Sequence, residues 1–247
     1  PRLEEEVEQE EEPRMDLITI MCPSRERPDR LSDMLDSLQR TTTRDIEIFV
    51  SIDSDDPCLS EYMKLKSRIS KLFVCEKGKC VGKQWNIMAK EAKGDLLMMA
   101  NDDLIWHTND WDTIVRNRVH EAFKDRIFVA WVDDGTGKAH DRCAFPIVSR
   151  RWYEALEYFS PECFNHLWCD TWITDIGRRL RRLCYIPEVL DEHCHFNFKK
   201  AEFDKTYQRH RVGAEAKQKR ADDKQMYTDT APQRAKDAEK LHRLKGK

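Results

Sequence analysis

The chain has 247 residues, 40% of them hydrophobic and 9% aromatic, enough to bury one sizeable core. Its charged fraction of 36% leaves a formal net charge of only −3. No apolar run approaches the roughly 20 residues that cross a bilayer, so no membrane span is expected, no signal peptide is evident, and the expected placement is cytoplasmic. Nine cysteines are scattered without a Cys-x-x-Cys pair, which argues against a zinc ribbon and fits reduced thiols.

Charge is distributed unevenly. Residues 1–14 hold seven Glu against two Arg, a net of −5, and the segment 1–15 reads as an acidic disordered arm. Residues 199–247 hold fifteen Lys and Arg against eight Asp and Glu, a net of +7. Within that end, 211–247 reads as a basic helical or flexible tail. Such a tail could touch a polyanion, although charge runs are more commonly just solvated.

Between these ends the pattern alternates. Leu17 to Met21 is a strand, Pro23-Ser24-Arg25 a turn, and Pro28 opens a helix running to about Gln39. Ile46 to Ile52 is a second strand, ending in Asp53, Asp55 and Asp56. Residues 59–70 are expected to be helical, and "KLFVC" is a third short strand. Val81 to Gly94 has apolar residues at helical spacing and stops at a glycine. The next strand, Leu96 to Ala100, runs straight into Asn101-Asp102-Asp103. A short apolar run of this kind reads as a buried parallel strand.

The second half is less regular. "IFVAWVDDGTG" is a strand, "CAFPIVSRRWYEAL" a strand feeding a helix, and "CDTWITDIGRRLRRL" a helix with Asp170 on its first turn. "CYIPEVLDEHCHF" is extended. The alternation predicts an α/β fold with a mostly parallel, mixed sheet flanked by helices.

Parallel strands share a carboxyl edge, where open α/β sheets bind ligands. Three acidic strand ends are expected there: Asp53 with Asp55, the Asn101–Asp103 turn, and Asp133-Asp134. Clustered carboxylates repel one another, and a cation or a ligand with donors would relieve them; hard oxygen ligands favour Mg2+ or Mn2+. His193 and His195 lie two apart on an extended segment and share a face, so both could aim at one point. Lys83, Lys199 and Lys200 could neutralise phosphate charge. Asp170 is equally suited to capping its helix, and most tryptophans to the core, with Trp168 and Trp172 the candidates for a sugar face.

In their order and spacing, "ITIMCPSRERPDRL", "VSIDSDDP" and "GKQWNIMAKEAKGDLLMMANDD" resemble the nucleotide-sugar-binding half of GT-A glycosyltransferases of the family-two type. The run through "WCDTWITDIGRRL" and "EHCHFNFKKAEFDKTY" is similar to glycosyltransferase-like proteins of bacteriophage genomes. The resemblance spans about residues 16–210 and implies a metal-dependent transferase using a nucleotide-sugar, with UDP the expected nucleotide. It implies that Pro23, Ser24 and Arg25 line the nucleoside, that Asp53 hydrogen-bonds the pyrimidine edge with Asp55 close by, and that Gly82, Lys83 and Asn86 contact ribose or diphosphate. Asn101, Asp102 and Asp103 stand in place of the family's DxD motif, with Asn101 replacing its first Asp. Asp103 would bind the metal, and His193 or His195 would complete its binding. Asp170 falls where inverting members carry the general base.

The acceptor stays open between a hydroxymethylated pyrimidine in phage DNA, met by Arg178, Arg179, Arg181, Arg182 and the basic tail, and a cell-surface glycan or small molecule. Nucleotidyl transfer and a non-catalytic nucleotide-binding module are the competing readings.

Overall fold

A computed structural model describes residues 16–76 and 80–246; the acidic arm expected over 1–15 lies outside them. The sheet grows from strands β1 (Ile18–Pro23), β2 (Ile46–Asp53), β3 (Lys71–Cys75) and β4 (Leu96–Met99), which pair in parallel in the order β3-β2-β1-β4. Helices α1 (Pro28–Thr41), α2 (Leu59–Lys64) and α3 (Val81–Glu91) make the crossovers, with a 3-10 turn at Lys66–Arg68 after α2.

Both faces of β1 and β4 are buried. Ile18, Ile20 and Cys22 of β1 pack with Leu96, Met98 and Ala100 into the core under α1 and α2, while Met21, Leu97 and Met99 face the core under α3. The period-two split explains why β4 reads as a continuous apolar run instead of an alternating one. Gly94 does not cap α3, whose C-cap is Ala92. It allows close chain approach instead: a Cβ there would lie 2.3 Å from Thr19 Oγ1 and 2.7 Å from its backbone nitrogen.

The second half mixes directions. After β5 (Leu104–Trp106) and α4 (Trp111–Ala122) come β6 (Val129–Asp133), β7 (Ile147–Ser149), α5 (Arg150–Leu156), α6 (Cys169–Leu180) and β8 (Leu183–His193). β7 runs antiparallel to both β4 and β6, and β8 parallel to β6, completing the eight-stranded order β3-β2-β1-β4-β7-β6-β8-β5. β5, which the sequence hides in an acidic turn, pairs antiparallel with β8 in the register Leu104↔His193.

The chain ends in α7 (Lys205–Arg211), α8 (Gly213–Asp229) and α9 (Ala231–His242), so the segment expected to be a helical or flexible tail is helical. α9 packs on α5 and α6. There Arg234 is buried over the rings of Tyr227 and Trp172 and bonds Asp175, and Leu241 is fully buried. Among the described residues no helix is long and apolar enough to cross a membrane.

Candidate active site

A cleft of about 680 Å3 opens at the carboxyl ends of β1, β2 and β4, a size suited to a small ligand. One wall is the loop after β1, with Pro23, Ser24, Arg25 and Arg27. The floor is Asp53, Gln84, Trp85 and the Asn101–Asp103 turn. The far wall carries Asp170 and His193, and α7 lies across the top.

β5 determines what meets Asp103. Its pairing with β8 has Cys194 N donating to Asp103 O at 2.8 Å, which carries His193 alongside. His193 Nε2 lies 3.4 Å from Asp103 Oδ1. Asp103 is 3% exposed and His193 8%. Neither Asp103 Oδ1 nor either His193 ring nitrogen has a hydrogen-bond partner. Buried polar atoms are normally satisfied, so this oxygen and this nitrogen, aimed at each other beside a cleft, suit a divalent cation. Among the described residues no three His, Cys, Asp or Glu side chains are gathered to hold a metal by themselves. The trio Asp103, His193 and His195 is therefore not a closed cage. His195 Nδ1 accepts from Asn197 N at 3.1 Å, and burial together with His193 pushes the His195 imidazole down to about 4. One or two protein ligands completed by substrate phosphates is a common arrangement for hard cations.

Arg27, which sequence reasoning missed, binds the carboxylates together. It is 8% exposed. Its Nη1 donates to Asp102 Oδ1 at 3.1 Å and lies 3.6 Å from Asp103 Oδ2. Nε and Nη2 grip both oxygens of Asp204 at 2.9 and 3.0 Å. The guanidinium also sits 4.3 Å over the Tyr207 ring. Burial works against its charge, yet Asp102, Asp204 and Asp103 hold it protonated. Tyr207 in turn donates its hydroxyl to Asp103 Oδ2 at 3.0 Å. Asp103 feels an opposing burial penalty, outweighed by His193, Arg27 and Tyr207, which keep its carboxyl below the usual range. Asp102 goes the other way: burial pushes it up to about 6 against the pull of Arg27.

Several expected ligand contacts are corrected by their partners. Ser24 and Asp102 line the cleft but bond each other, Ser24 Oγ donating to Asp102 Oδ2 at 2.7 Å, so they also anchor the β1–α1 loop. Arg25 bridges Asp53 and Asp55 at 2.6 and 2.7 Å, and Gln84 donates to the second Asp53 oxygen at 2.9 Å. Gly82, Lys83 and Asn86 do not line the cleft. Asn86 staples the 159–162 loop, accepting from Phe159 N and Ser160 N and donating to Ser160 O. Lys83 is exposed on the outer side of α3, whose inward side presents Gln84 and Trp85. Gly82 touches Pro161: a Cβ there would sit 2.0 Å from its carbonyl oxygen. Gly82→Ala should therefore cost about 1–3 kcal/mol by overpacking, read as a lower midpoint in thermal or urea unfolding.

Lys199 is exposed, and Lys200 pairs with Glu192 at 2.6 Å and bonds Gly135 O; neither lines the cleft. Asp133 and Asp134 also leave the group. β4 and β7 separate β6 from β1, and the two carboxylates accept from Gly135 N and Thr136 N, folding the following loop. Pro23, Ser24, Arg25, Asp53, Asn101, Asp102, Asp103, Asp170, His193 and His195 remain around the cleft.

Asp170 lies in the first turn of α6 without capping it; the N-cap is Trp168, at φ 77°. Burial raises the Asp170 carboxyl above its ordinary value. Trp168 lines the cleft and stacks on Tyr227, whereas Trp172 is buried and donates its N–H to Tyr158.

The sequence of residues 19–163, more than half the chain and most of this cleft, matches the profile of glycosyl transferase family 2. The chain belongs to that family. No curated protein matches it in sequence. Among solved structures, the family 2 chain is similar to the mannosyltransferase PcManGT from Pyrobaculum calidifontis, in complex with GDP-Man and Mn2+. That match has a TM-score of 0.57 and 13% identity over 73% of this chain and 57% of that one. It is also similar to S. aureus TarS 1–349 in complex with UDP-GlcNAc (0.55, 15%, 75% and 61%). GalNAc-T7 with UDP, GalNAc and Mn2+ is a third (0.57, 14%, 72% and 43%). At these identities the likeness is one of fold, the GT-A fold. The chain spans between 43% and 61% of the length of these structures.

Proposed function

We propose that this chain moves a sugar from a nucleotide-sugar to an acceptor hydroxyl, with Mn2+ or Mg2+ held at Asp103 and His193. The observation that carries this reading is the pair of buried, unpartnered atoms Asp103 Oδ1 and His193 Nε2, 3.4 Å apart beside the cleft. The solved structures of the same fold support it, since PcManGT and GalNAc-T7 are complexed with Mn2+ and with GDP-Man or UDP. We take UDP as the nucleotide, as in the TarS complex with UDP-GlcNAc.

When bound, the cation would offset the negative charge that gathers on the leaving diphosphate. The chain's own groups do the rest. Pro23, Arg25, Gln84 and Trp85 enclose the nucleoside, and each Asp53 oxygen, already accepting one hydrogen bond, keeps a lone pair for a ring N–H. Arg27 and Tyr207 keep Asp103 ionised. α7, tied down by Thr206 to Arg25 O and by Arg209 to Glu26, covers the cleft and excludes water. Asp170 takes the proton from the acceptor hydroxyl, and Trp168 offers a ring to a sugar face.

Of the arginines expected to meet DNA, Arg182 pairs with Asp125 and Arg179 with Asp175, which leaves Arg178 and Arg181 exposed and, among the described residues, without an ion pair. We retain a hydroxyl acceptor and attach no duplex to it.

The test incubates the full chain with UDP-sugars and, separately, with nucleoside triphosphates, each with Mn2+. UDP release from a UDP-sugar is expected; diphosphate release from a triphosphate would favour nucleotidyl transfer. Asp170→Asn should leave UDP–Mn2+ affinity intact and lower kcat about 10²- to 10⁴-fold. In the wild type, the rate should rise with pH through an apparent pKa above the ordinary carboxylate value, because the base works only when deprotonated. That limb should vanish in the variant.

A further inference from the structure

Beyond Asp170 the cleft does not close. Asn165, His166, Arg209, His210 and Lys219 line both it and a second cavity of about 420 Å3, so the two meet at these side chains. Charge at this junction is unbalanced. Arg211 lines the cleft and has no hydrogen bond or ion pair among the described residues, and Arg220 bonds only the carbonyl oxygen of His210, at 2.7 Å. Burial and the neighbouring Arg220 lower the pKa of the Arg211 guanidinium.

Every carboxylate near the junction is committed elsewhere. Glu215 pairs with Lys219, Glu26 with Arg209, and Glu162 accepts from Asn86. Asp223 lines the second cavity and receives four hydrogen bonds, from the backbone of Asn165, His166 and Leu167 and the side chain of Asn165, so it is aimed at that loop and pairs with neither Arg211 nor Arg220. Two further features favour an anion. α8 starts without a side-chain cap, and Ala216 of its first turn lines the second cavity, near its unsatisfied N–H groups. His166 and His210 stack at 3.8 Å, and burial, with nearby cations, holds them neutral at about 4 and about 3, so they present a flat wall with ring N–H donors.

We propose that this junction binds a phosphate group carried by the acceptor, with Arg211 and Arg220 as its cations. A guanidinium fork matches phosphate oxygens, and a dianion would relieve two clustered cations that form no ion pair with a carboxylate among the described residues. The proposal rests on the assignment of Asp170 to the acceptor side. It makes the acceptor a phosphorylated hydroxyl compound whose phosphate lies beyond the reacting oxygen.

A donor diphosphate is the other source of the same chemistry, and the experiment separates the two. The full chain, saturated with UDP and Mn2+, is titrated calorimetrically with inorganic phosphate, sn-glycerol 3-phosphate and glycerol. Both phosphates should bind and glycerol should not. Arg211→Gln and Arg220→Gln should each weaken phosphate binding about tenfold or more, with Arg211→Lys losing less and UDP affinity within twofold of the wild type. Displacement of phosphate by UDP–Mn2+ would assign these cations to the donor and overturn the proposal, as would phosphate affinity unchanged by Arg211→Gln. If UDP–Mn2+ does not bind at all, the donor reading fails, and titration of the free chain with phosphate still decides the subsite.

Discussion

Asp103→Asn is expected to abolish Mn2+-dependent binding of UDP and to lower transfer about 10³-fold, roughly 4 kcal/mol of transition-state stabilisation. The substitution keeps the shape of the side chain and its acceptor oxygen, so the Tyr207 hydroxyl retains its bond and the fold should survive. It removes the charge that draws a cation to the His193 side. Thermal unfolding separates the two roles. A site residue predicts lost metal dependence in a chain that still unfolds cooperatively, with a lowered Tm because His193, Arg27 and Tyr207 hold this carboxylate ionised in the folded state. Full metal-dependent affinity in this variant would remove Asp103 from the centre.

Arg27→Met should have the largest effect on stability. Breaking a buried ion pair by deleting one partner costs about 3–5 kcal/mol, since the other charge is left uncompensated. Here Asp102, Asp103 and Asp204 all lose the same guanidinium. The variant should also change its response to pH. Without Arg27, Asp102, already pushed up to about 6 by burial, binds its proton still more tightly in the folded state than in the unfolded chain. A group whose folded pKa is raised takes up protons on folding, so stability falls as pH rises through the folded value. Urea midpoints measured from pH 5 to 8 should therefore show a deficit that widens toward pH 8. A deficit of constant size across that range would mean that Arg27 acts through packing alone.

These effects explain which parts of the molecule could be read from its sequence. β1 and β4 were legible because strands buried on both faces leave runs such as "LLMM", and β2 and β3 because the helices between the strands carry their own spacing and stops. Asp53, Asn101 and Asp103 followed, since strand ends in a parallel sheet share an edge. β5 was not legible. Three residues in an acidic turn show no period, yet their pairing with β8 is what carries His193 to Asp103. Asp133-Asp134 misled because β7 enters antiparallel between β4 and β6, a reversal that leaves no local trace.

Arg27 looks in sequence like one more charge in "SRERPDR". It becomes a buried hub only when α7 folds back and brings Asp204 and Tyr207 from 177 and 180 positions away. Gly82, Lys83 and Asn86 failed for a helical reason. α3 turns Gln84 and Trp85 to the cleft, so neighbouring positions face the 159–162 loop or solvent. Lys200 lies outside the cleft, held by Glu192 and Gly135 O.

The central claim is that one cation is shared by Asp103 and His193, and electron–nuclear double resonance of Mn2+ tests it directly. The full chain with UDP and Mn2+ should show a nitrogen coupling from a directly bound imidazole, lost in His193→Ala and kept in His195→Ala. A spectrum with no imidazole nitrogen on Mn2+, or one that survives His193→Ala unchanged, would contradict the account.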